Sequence, residues 1–364
     1  MPVISKRTIL AVLPAALVAV AAIAPLTAQQ AGVDRLPAEV FDVAPPSDRV
    51  RGGPGQMKVQ ARPCRTVPLP ETRRRLVDVA VQEWAFFGFR VVDRTEIAER
   101  AAAGNVPNGR QGAPGFGGRG GRRRPSFSPE EGARLAASIA GYWAVTPEGS
   151  WIVERQNDEW TGPDGTAARW NAPWSAAFIS WVMCEGGLGG PNQFQRAIAH
   201  HAYIDQAIRA RDGRAAQAAF VAYDTGEAAI SPGDLLCSSR QPVYRTIAER
   251  RRQAGVGART HCDVVVMVDE GRERILAIGG NVRGIVALKL LRAQRTAGQP
   301  LRVVDPDEER PIFAHLKLRA ESIGANPLST SPTMKALGCG GPGRTPALLA
   351  AASVAAADLI AARC

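Results

Sequence analysis

Three apolar, strand-like runs in the second half of the chain constrain its fold more than any other feature. They begin at His261 (HCDVVVMV), Ile275 (ILAIGGN) and Ile285 (IVALKLL), and the polar turn DEGRER separates the first two. Short runs rich in β-branched residues and joined by tight turns are typical of an antiparallel meander. Because helical patterns precede these strands along the chain, the sequence predicts an α+β fold with helices packed on the meander.

Helical patterns fill much of the chain before the meander. The clearest is 174–185 (WSAAFISWVMCE), because Pro173 precedes it and Gly186-Gly187 follows it. FRVVD at 89–93 predicts a short strand, whereas glycine and proline predict a loop over 147–173. The other predicted helices cover 71–87, a segment that starts at the capping box of Ser128, and about 193–211.

The N-terminal residues have the pattern of a secretory signal peptide. Lys6 and Arg7 precede an apolar stretch, and small residues end it near Ala28. We therefore predict a signal peptide over 1–28 and a periplasmic or secreted protein with no transmembrane span after cleavage. Because Leu26 is bulky where a small residue is preferred, an uncleaved membrane anchor is the alternative.

The basic charge of the chain is concentrated in one segment. The sequence has 45 Lys and Arg against 34 Asp and Glu, a formal net charge of +11. Lys6 and Arg7 supply two of these charges, and the segment 104–127, with eight Gly and five Arg, supplies five. Such a composition cannot bury a core, so we predict a disordered insertion there. The four remaining charges are ordinary for a globular domain and argue against nucleic acid as a partner. The Arg-rich loop is either a solvated insertion or a contact for an acidic polymer.

Composition also sets the remaining boundaries. Residues 29–69 are rich in Pro, Arg and Gly and predict an extended lead-in. Residues 70–322 predict one globular domain that carries the insertion. Residues 323–364, rich in Ala, Gly and Pro, predict a peripheral, low-complexity tail.

The six cysteines predict disulfides and no metal site. Export permits disulfide formation, and the sequence has neither a CxxC motif nor a Cys/His ligand spacing. Cys237 and Cys262 lie at the edges of predicted strands and could pair. Cys339 and Cys364 could pair with each other or with Cys64, and the connectivity stays open. No metal or other cofactor is predicted.

Ser175, His261 and Asn281 form the candidate catalytic constellation. Ser175 begins a helix, where the helix dipole favours an anion. If Gly271 is the centre of the hairpin turn, opposed residues have numbers that sum to about 542, and His261 faces Asn281. These positions predict a triad in which Ser175 is the nucleophile, His261 the base and Asn281 the group that orients it.

Four further residues are predicted to bind substrate or assist the triad. Trp174 adjoins Ser175 and is predicted to form a wall of a substrate groove. His200 and Tyr203 follow a Gly-rich loop and are predicted to reach the cleft, with a capping or packing role for His200 as the alternative. Asp263 lies on the same face of its strand as His261 and could assist it.

Other candidate side chains are predicted to be structural. Cys184 follows Ser175 by nine residues, about two and a half helical turns, so it points to the opposite side of the helix. Cys262 alternates to the face of its strand opposite His261, so neither cysteine is a suitable nucleophile. Asp234 in the Gly-Asp turn is expected to bind backbone groups. His315 is expected to pack in the core.

Several of these motifs together resemble a known superfamily. The run PWSAAFISW at 173–181 resembles the "PWCAAFVNW" helix of bacterial CHAP-like and NlpC-like cysteine hydrolases. A Gly-Asp turn (232–235), a histidine that opens a Val-rich strand (261–266) and Gly-Gly-Asn (279–281) follow in the same order. Within that superfamily, the segment 200–203, the GDLLC turn and the HCD strand resemble the bacterial group called domain of unknown function 2272 (DUF2272), over about residues 73–319.

The resemblance implies a papain-like fold and hydrolysis of amide bonds in peptidoglycan or cell-wall peptides. This chain departs from the pattern because Ser175 occupies the position of the catalytic cysteine. A thiol has an unperturbed pKa near 8.5, and a hydroxyl is far less acidic, so His261 would have to remove the proton during the attack. The alternative is a catalytically silent papain-fold binding or scaffold protein of the cell envelope.

Overall fold

The computed structural model describes residues 33–95, 129–165, 168–304 and 310–338. The predicted signal peptide, the Arg-rich insertion, Cys339 and Cys364 lie outside these ranges. No helix within them is long and apolar enough to cross a membrane.

The described residues form an α+β fold, as the order of helices and strands predicts. The helices are α1 (Leu69–Phe86), α2 (Pro129–Trp143), α3 (Gly149–Thr161), α4 (Ser175–Glu185), α5 (His201–Arg211), α6 (Ile247–Arg251) and α7 (Pro332–Gly338). The strands are β1 (Val50–Arg51), β2 (Lys58–Val59), β3 (Val91–Asp93), β4 (Phe220–Tyr223), β5 (Leu235–Gln241), β6 (Arg259–Asp269), β7 (Arg274–Val282), β8 (Ile285–Gln294), β9 (Arg302–Val303) and β10 (Ile312–Leu318).

The predicted meander is the middle of a larger sheet. The strand order is β3-β8-β7-β6-β5-β10-β4, and β9 pairs with the edge of β8. Neighbouring strands are antiparallel except for β3, which runs parallel to β8. The predicted register of β6 and β7 is confirmed at their centre, where Val264 opposes Ile278 and Val265 opposes Ala277.

Helix α4 packs on this sheet and is buried around its whole circumference. Every residue from Ser175 to Glu185 is buried, which fits a helix that is apolar around its whole circumference. The approach to β7 is close: a methyl group added at Gly280 would lie 2.5 Å from the Cβ atom of Phe178. Glycine at this position therefore lets the helix pack on the strand, and the packing fixes where Ser175 lies.

Two helical boundaries differ from those that the sequence predicts. The predicted loop 147–173 is wrong, because α3 fills much of it and buries Ile152, Val153, Gln156 and Trp160. The buried polar Gln156 bonds the backbone of Arg169 and Asn171, and its place among apolar positions obscures the helical period. The helix predicted from residue 193 begins only at His201.

The lead-in and the start of the tail both pack on the domain. The lead-in contains the two-stranded sheet β1–β2 and buries Phe41, Val43 and Met57. In the tail, α7 packs against α1 and buries Met334, so this part is not peripheral.

Two disulfides cross-link the described residues. Cys237 on β5 bonds Cys262 on β6, which confirms that predicted pair. Cys64 bonds Cys184 across 120 residues, which excludes the alternative in which Cys64 pairs with Cys339 or Cys364. Cys184 is buried in the core as expected, but as one half of this bridge.

Candidate active site

Ser175 is the first residue of α4, and Trp174 before it is part of the core. Trp174 is only 2% exposed, and its ring packs on those of Phe87 and Tyr142. This packing anchors the start of the helix and holds Ser175 in a defined position. The role of Trp174 as a wall of a substrate groove stays a prediction.

His200 is the hydrogen-bond partner of Ser175. Ser175 Oγ lies 2.7 Å from His200 Nε2, and both side chains are buried. His200 is the residue before α5. The predicted direct hydrogen bond between Ser175 and His261 is not present. The alternative of a packing role for His200 does not fit either, because His200 bonds the candidate nucleophile.

Two donors on the other ring nitrogen of His200 fix its tautomer. The backbone N–H of Cys262 donates to His200 Nδ1 at 3.2 Å, and the Tyr203 hydroxyl bonds the same atom. Burial, and after it the charge of Asp263, raises the pKa of Tyr203, so its hydroxyl keeps its proton. A backbone N–H can only donate, and Nδ1 must therefore be an acceptor.

The proton of neutral His200 consequently lies on Nε2. Burial, followed by the charge of His261, holds the pKa of His200 well below its usual range, so the ring is neutral at pH 7. Its Nε2–H donates to Ser175 Oγ. His200 in this form can stabilise an anionic serine oxygen but has no lone pair facing the serine with which to take its proton.

His261 bonds a carboxylate where His200 bonds the serine. Asp263 Oδ1 lies 3.0 Å from His261 Nε2, and Lys289 Nζ donates to Asp263 Oδ2 at 2.7 Å. The ring centroids of His261 and His200 are 5.3 Å apart. The contact of Asp263 with His261 is the one that strand alternation predicts.

Charge keeps Asp263 ionised, whereas burial is the main reason that His261 is neutral. Burial alone would raise the pKa of Asp263, but Lys289 and His261 outweigh it and the net shift is downward. Burial, with Lys289 after it, lowers the pKa of His261. The carboxylate therefore accepts the Nε2–H of His261, which leaves Nδ1 with a lone pair that can accept a proton.

Asn281 does not orient His261, contrary to the prediction. Pairing of β6 with β7 extends no further toward this end than Val264 and Ile278, and β7 is irregular between Gly279 and Val282. Asn281 itself has a positive φ of 54°. The regular register on which the prediction depends is therefore lost before it reaches Asn281, and Asp263 holds His261 instead.

Gly279 makes room for the histidine–aspartate pair. A methyl group at this position would lie 1.9 Å from Asp263 Oδ1 and 3.1 Å from His261 Nε2. The two glycines of the Gly-Gly-Asn segment thus have separate functions. Gly279 accommodates the site on β6, and Gly280 accommodates α4.

The Gly-Asp turn belongs to a second, structural cluster. Asp234 accepts hydrogen bonds from Arg73 and from the backbone N–H of Ser231 and Leu318, and it lies 2.8 Å from His315 Nε2. The predictions that Asp234 binds backbone groups and that His315 lies in the core are confirmed.

The two cysteines nearest the site are not free thiols. Cys184 and Cys262 are both disulfide-bonded, which agrees with their exclusion as nucleophiles. Within the described ranges, no group of three or more His, Cys, Asp or Glu residues could hold a metal ion.

An open groove is lined in part by residues that neighbour Ser175 and His200 in the sequence. It has a volume of about 370 Å³, and Pro173 and Ala199 are among the residues that line it. Helix α3 supplies Trp151 and Arg155. The sequence predicts a loop in place of α3, so the groove could not be predicted from it. The Trp-Ile-Val run at 151–153 is the signal that could have indicated helix α3.

The fold and the site define an α+β protein with a buried serine–histidine pair at the start of its central helix. Residues 130–318 match the model of a family described as an uncharacterized protein conserved in bacteria, DUF2272. The match spans more than half of the chain, and the chain belongs to this family. It runs from α2 to β10 and includes Ser175, His200 and His261. Comparison with curated proteins and with solved structures gives no match.

Proposed function

We propose that this chain is an exported serine-type hydrolase of amide bonds in peptidoglycan or cell-wall peptides. The observation that carries the proposal is the 2.7 Å contact between Ser175 Oγ and His200 Nε2 at the start of α4, with His261 in ring contact with His200. A hydroxyl at a helix N-terminus beside two histidines has the groups that nucleophilic catalysis requires.

The proposal includes a papain-like arrangement of the fold. It is supported by the combination of a buried helix that begins with the nucleophile and an antiparallel sheet on which the helix packs. The base then lies near the start of a strand of that sheet, as His261 does on β6. The order of these elements along the chain is the order in which the resembling hydrolases carry them.

The two histidines have different roles in the proposed reaction. The Ser175 oxygen attacks the carbonyl carbon while its proton passes to His261 Nδ1, directly or through one water molecule. His200 Nε2–H stabilises the oxygen as it becomes anionic. His261 then gives the proton to the leaving amine, which departs from the acyl-enzyme. A water molecule releases the acyl group after giving a proton to His261, and that proton returns to Ser175.

The test is hydrolysis of purified peptidoglycan, followed by the appearance of free amino groups. Ser175→Ala and His261→Gln should each lower kcat/KM by roughly 1000-fold or more without loss of folding. Ser322→Ala, at an exposed serine outside the site, is the matched control and should be fully active. Unchanged hydrolysis in Ser175→Ala would exclude this serine as the nucleophile.

A second candidate function is that of a catalytically silent binding or scaffold protein of the cell envelope. The observation that favours it is the tautomer of His200, whose Nε2–H donates to Ser175 instead of accepting its proton. Ser175→Cys separates the two functions. In the silent protein, wild type fails to hydrolyse peptidoglycan, whereas the new thiol reacts rapidly with iodoacetamide at pH 7 because the neighbouring histidines still stabilise a thiolate.

Export is part of the proposal and is supported by the two disulfides. Disulfides persist in oxidising compartments such as the periplasm or the extracellular space. Fractionation of the native host, with antibody detection and a thiol-trapping gel, tests this point. A reduced protein in the cytoplasmic fraction would contradict it.

A further inference from the structure

We infer that the groove beside Ser175 and His200 binds a short peptide with a free carboxylate, and that Arg155 pairs with this carboxylate. The inference rests on the proposed function, since it names the substrate segment that would lie next to the scissile bond. Pro173 and Ala199 line the groove and are close neighbours of the reactive pair along the chain. A ligand in the groove therefore contacts residues that are one or two positions from Ser175 and His200 in the chain.

Trp151 and Arg155 form an exposed platform at the groove. Trp151 is 56% exposed and is the one aromatic residue among the large exposed hydrophobic residues of the described ranges. The Arg155 guanidinium carbon lies 4.7 Å from the centroid of the Trp151 ring. Stacking on an aromatic ring restricts the orientation of the guanidinium group, so that less conformational entropy is lost when it binds a ligand.

The charged groups of the platform have no ionic partner within the part of the chain that the structure describes. Arginines such as Arg35, Arg49, Arg73 and Arg250 pair with carboxylates. Arg155 and Glu159, one turn apart on α3, do not pair with each other or with another described residue. Both side chains line the groove. A guanidinium group presents a fork of N–H donors that matches the two oxygens of a carboxylate.

A buried tryptophan and an exposed carboxylate are also part of the groove wall. Trp143 lines the groove, is buried, and its indole N–H has no acceptor among the described residues. The indole nitrogen is enclosed by protein and is not offered to a ligand. Glu159, which is exposed at the same groove, suits a peptide ammonium or amide group.

The charge of the groove favours a peptide over a neutral saccharide. An exposed tryptophan is also compatible with stacking of a sugar ring, but a sugar leaves the Arg155 charge without a partner. A carboxylate satisfies it through a charge-assisted pair. The peptide is therefore the occupant that accounts for Trp151 and Arg155 together.

Calorimetric titration of the full chain tests this inference, with Ser175→Ala as the background so that the probe is not consumed. The probes are tetra-alanine with a free carboxyl terminus, the same peptide as its C-terminal amide, and chitotetraose. The acid should bind roughly tenfold more tightly than the amide. Arg155→Gln should remove this preference, Arg155→Lys should keep part of it, and Arg252→Gln, at an exposed arginine outside the groove, should leave it unchanged.

Each other result overturns the inference. The carboxylate role of Arg155 is excluded by any of three results: equal binding of the acid and the amide, no binding of either, or a preference for the acid that survives Arg155→Gln. Binding of chitotetraose alone, lost in Trp151→Ala, makes the groove a saccharide site. The proposed function fails separately. If the Ser175→Ala chain prefers the acid but wild type does not hydrolyse peptidoglycan, only the hydrolase proposal is refuted. If wild type hydrolyses peptidoglycan but the Ser175→Ala chain shows no acid preference, only the carboxylate role of the groove is refuted.

Discussion

Two buried aspartate–histidine pairs lie in the same sheet, and only one of them adjoins the serine. Asp263 bonds His261 and Lys289, whereas Asp234 bonds His315 and Arg73. Burial would raise the pKa of each carboxyl group. In both pairs the histidine and the cation outweigh burial and lower it. The chemistry of the two clusters is thus almost the same.

Their surroundings are not the same. Asp234 also accepts backbone N–H groups and so joins the turn before β5 to the end of β10. His315 is completely buried, and its Nδ1 has no partner within the described residues. His261 instead presents its ring to His200, which bonds Ser175. The comparison teaches that a histidine–aspartate pair becomes a candidate site only through the groups that its histidine ring contacts.

The largest expected difference between the clusters is in folding stability. Asp234→Ala should lower the free energy of unfolding by about 3–5 kcal/mol, because it leaves the buried Arg73 charge uncompensated. Asp263→Ala should cost less, about 1–3 kcal/mol. Burial already lowers the pKa of Lys289, and a lysine can lose its proton where an arginine cannot. Guanidinium unfolding measures both, and equal losses would contradict the distinction.

Activity should show the reverse order. Asp263→Asn should lower kcat/KM on peptidoglycan roughly 100- to 1000-fold, because the amide no longer holds His261 in the tautomer with a free Nδ1. His315→Gln, the matched change in the other cluster, should stay within about twofold of wild type per folded molecule. A comparable loss in both variants would mean that His261 has a structural role only.

The two clusters should also respond to acid in different pH ranges. His200 and His261 have lowered pKa values in the folded state, so the unfolded chain binds their protons first, near the ordinary histidine pKa of about 6.5. Stability should therefore fall by about 1–2 kcal/mol per histidine between pH 7 and pH 5. The contribution of Asp234, whose folded pKa is lowered, should be lost only below about pH 4.

Urea unfolding at pH 7, 6 and 5 measures this response as the difference between wild type and His200→Gln. The difference is needed because burial raises the pKa of Asp78 to about 6, and its protonation stabilises the folded state over the same range. Asp78 is present in both chains and cancels. A difference that does not change with pH would show that His200 is not buried in its neutral form.

The smallest expected effect concerns the two donors on His200 Nδ1. Tyr203→Phe removes one of them and should lower stability by about 1 kcal/mol, the value of an ordinary hydrogen bond. The Cys262 N–H remains, so the proton should stay on Nε2. Nitrogen NMR of labelled histidine checks the tautomer, and a proton on Nδ1 in either chain would make His200 a possible base for Ser175.

Much of the framework could be predicted from the sequence because it depends on local patterns. Pro173 and Gly186 bound α4, and the turn at Gly271 sets the register of β6 and β7 at their centre. The contact of Asp263 with His261 follows from strand alternation alone. The motifs between residues 173 and 281 resemble the DUF2272 family, and the match over 130–318 confirms that the chain belongs to it.

The parts that failed depend on irregular or distant structure. The position of Asn281 cannot be extrapolated through a break in the strand at Gly279, since one irregular residue changes the face of each residue that follows. The Ser175–His200 contact joins residues 25 apart. Between the end of α4 and His200 the chain forms no helix or strand, so no periodicity describes its path. The catalytic roles of Ser175, His261 and the other site residues remain predictions.

The Cys64–Cys184 bridge has a consequence for proteolysis. It closes a loop that begins in the lead-in, ahead of α1, and ends in α4. A single cut anywhere between residues 65 and 183 produces two pieces that stay covalently joined. Nicked protein would therefore migrate as one band on a non-reducing gel and as two after reduction, and processing within this loop would not release the N-terminal piece from the sheet.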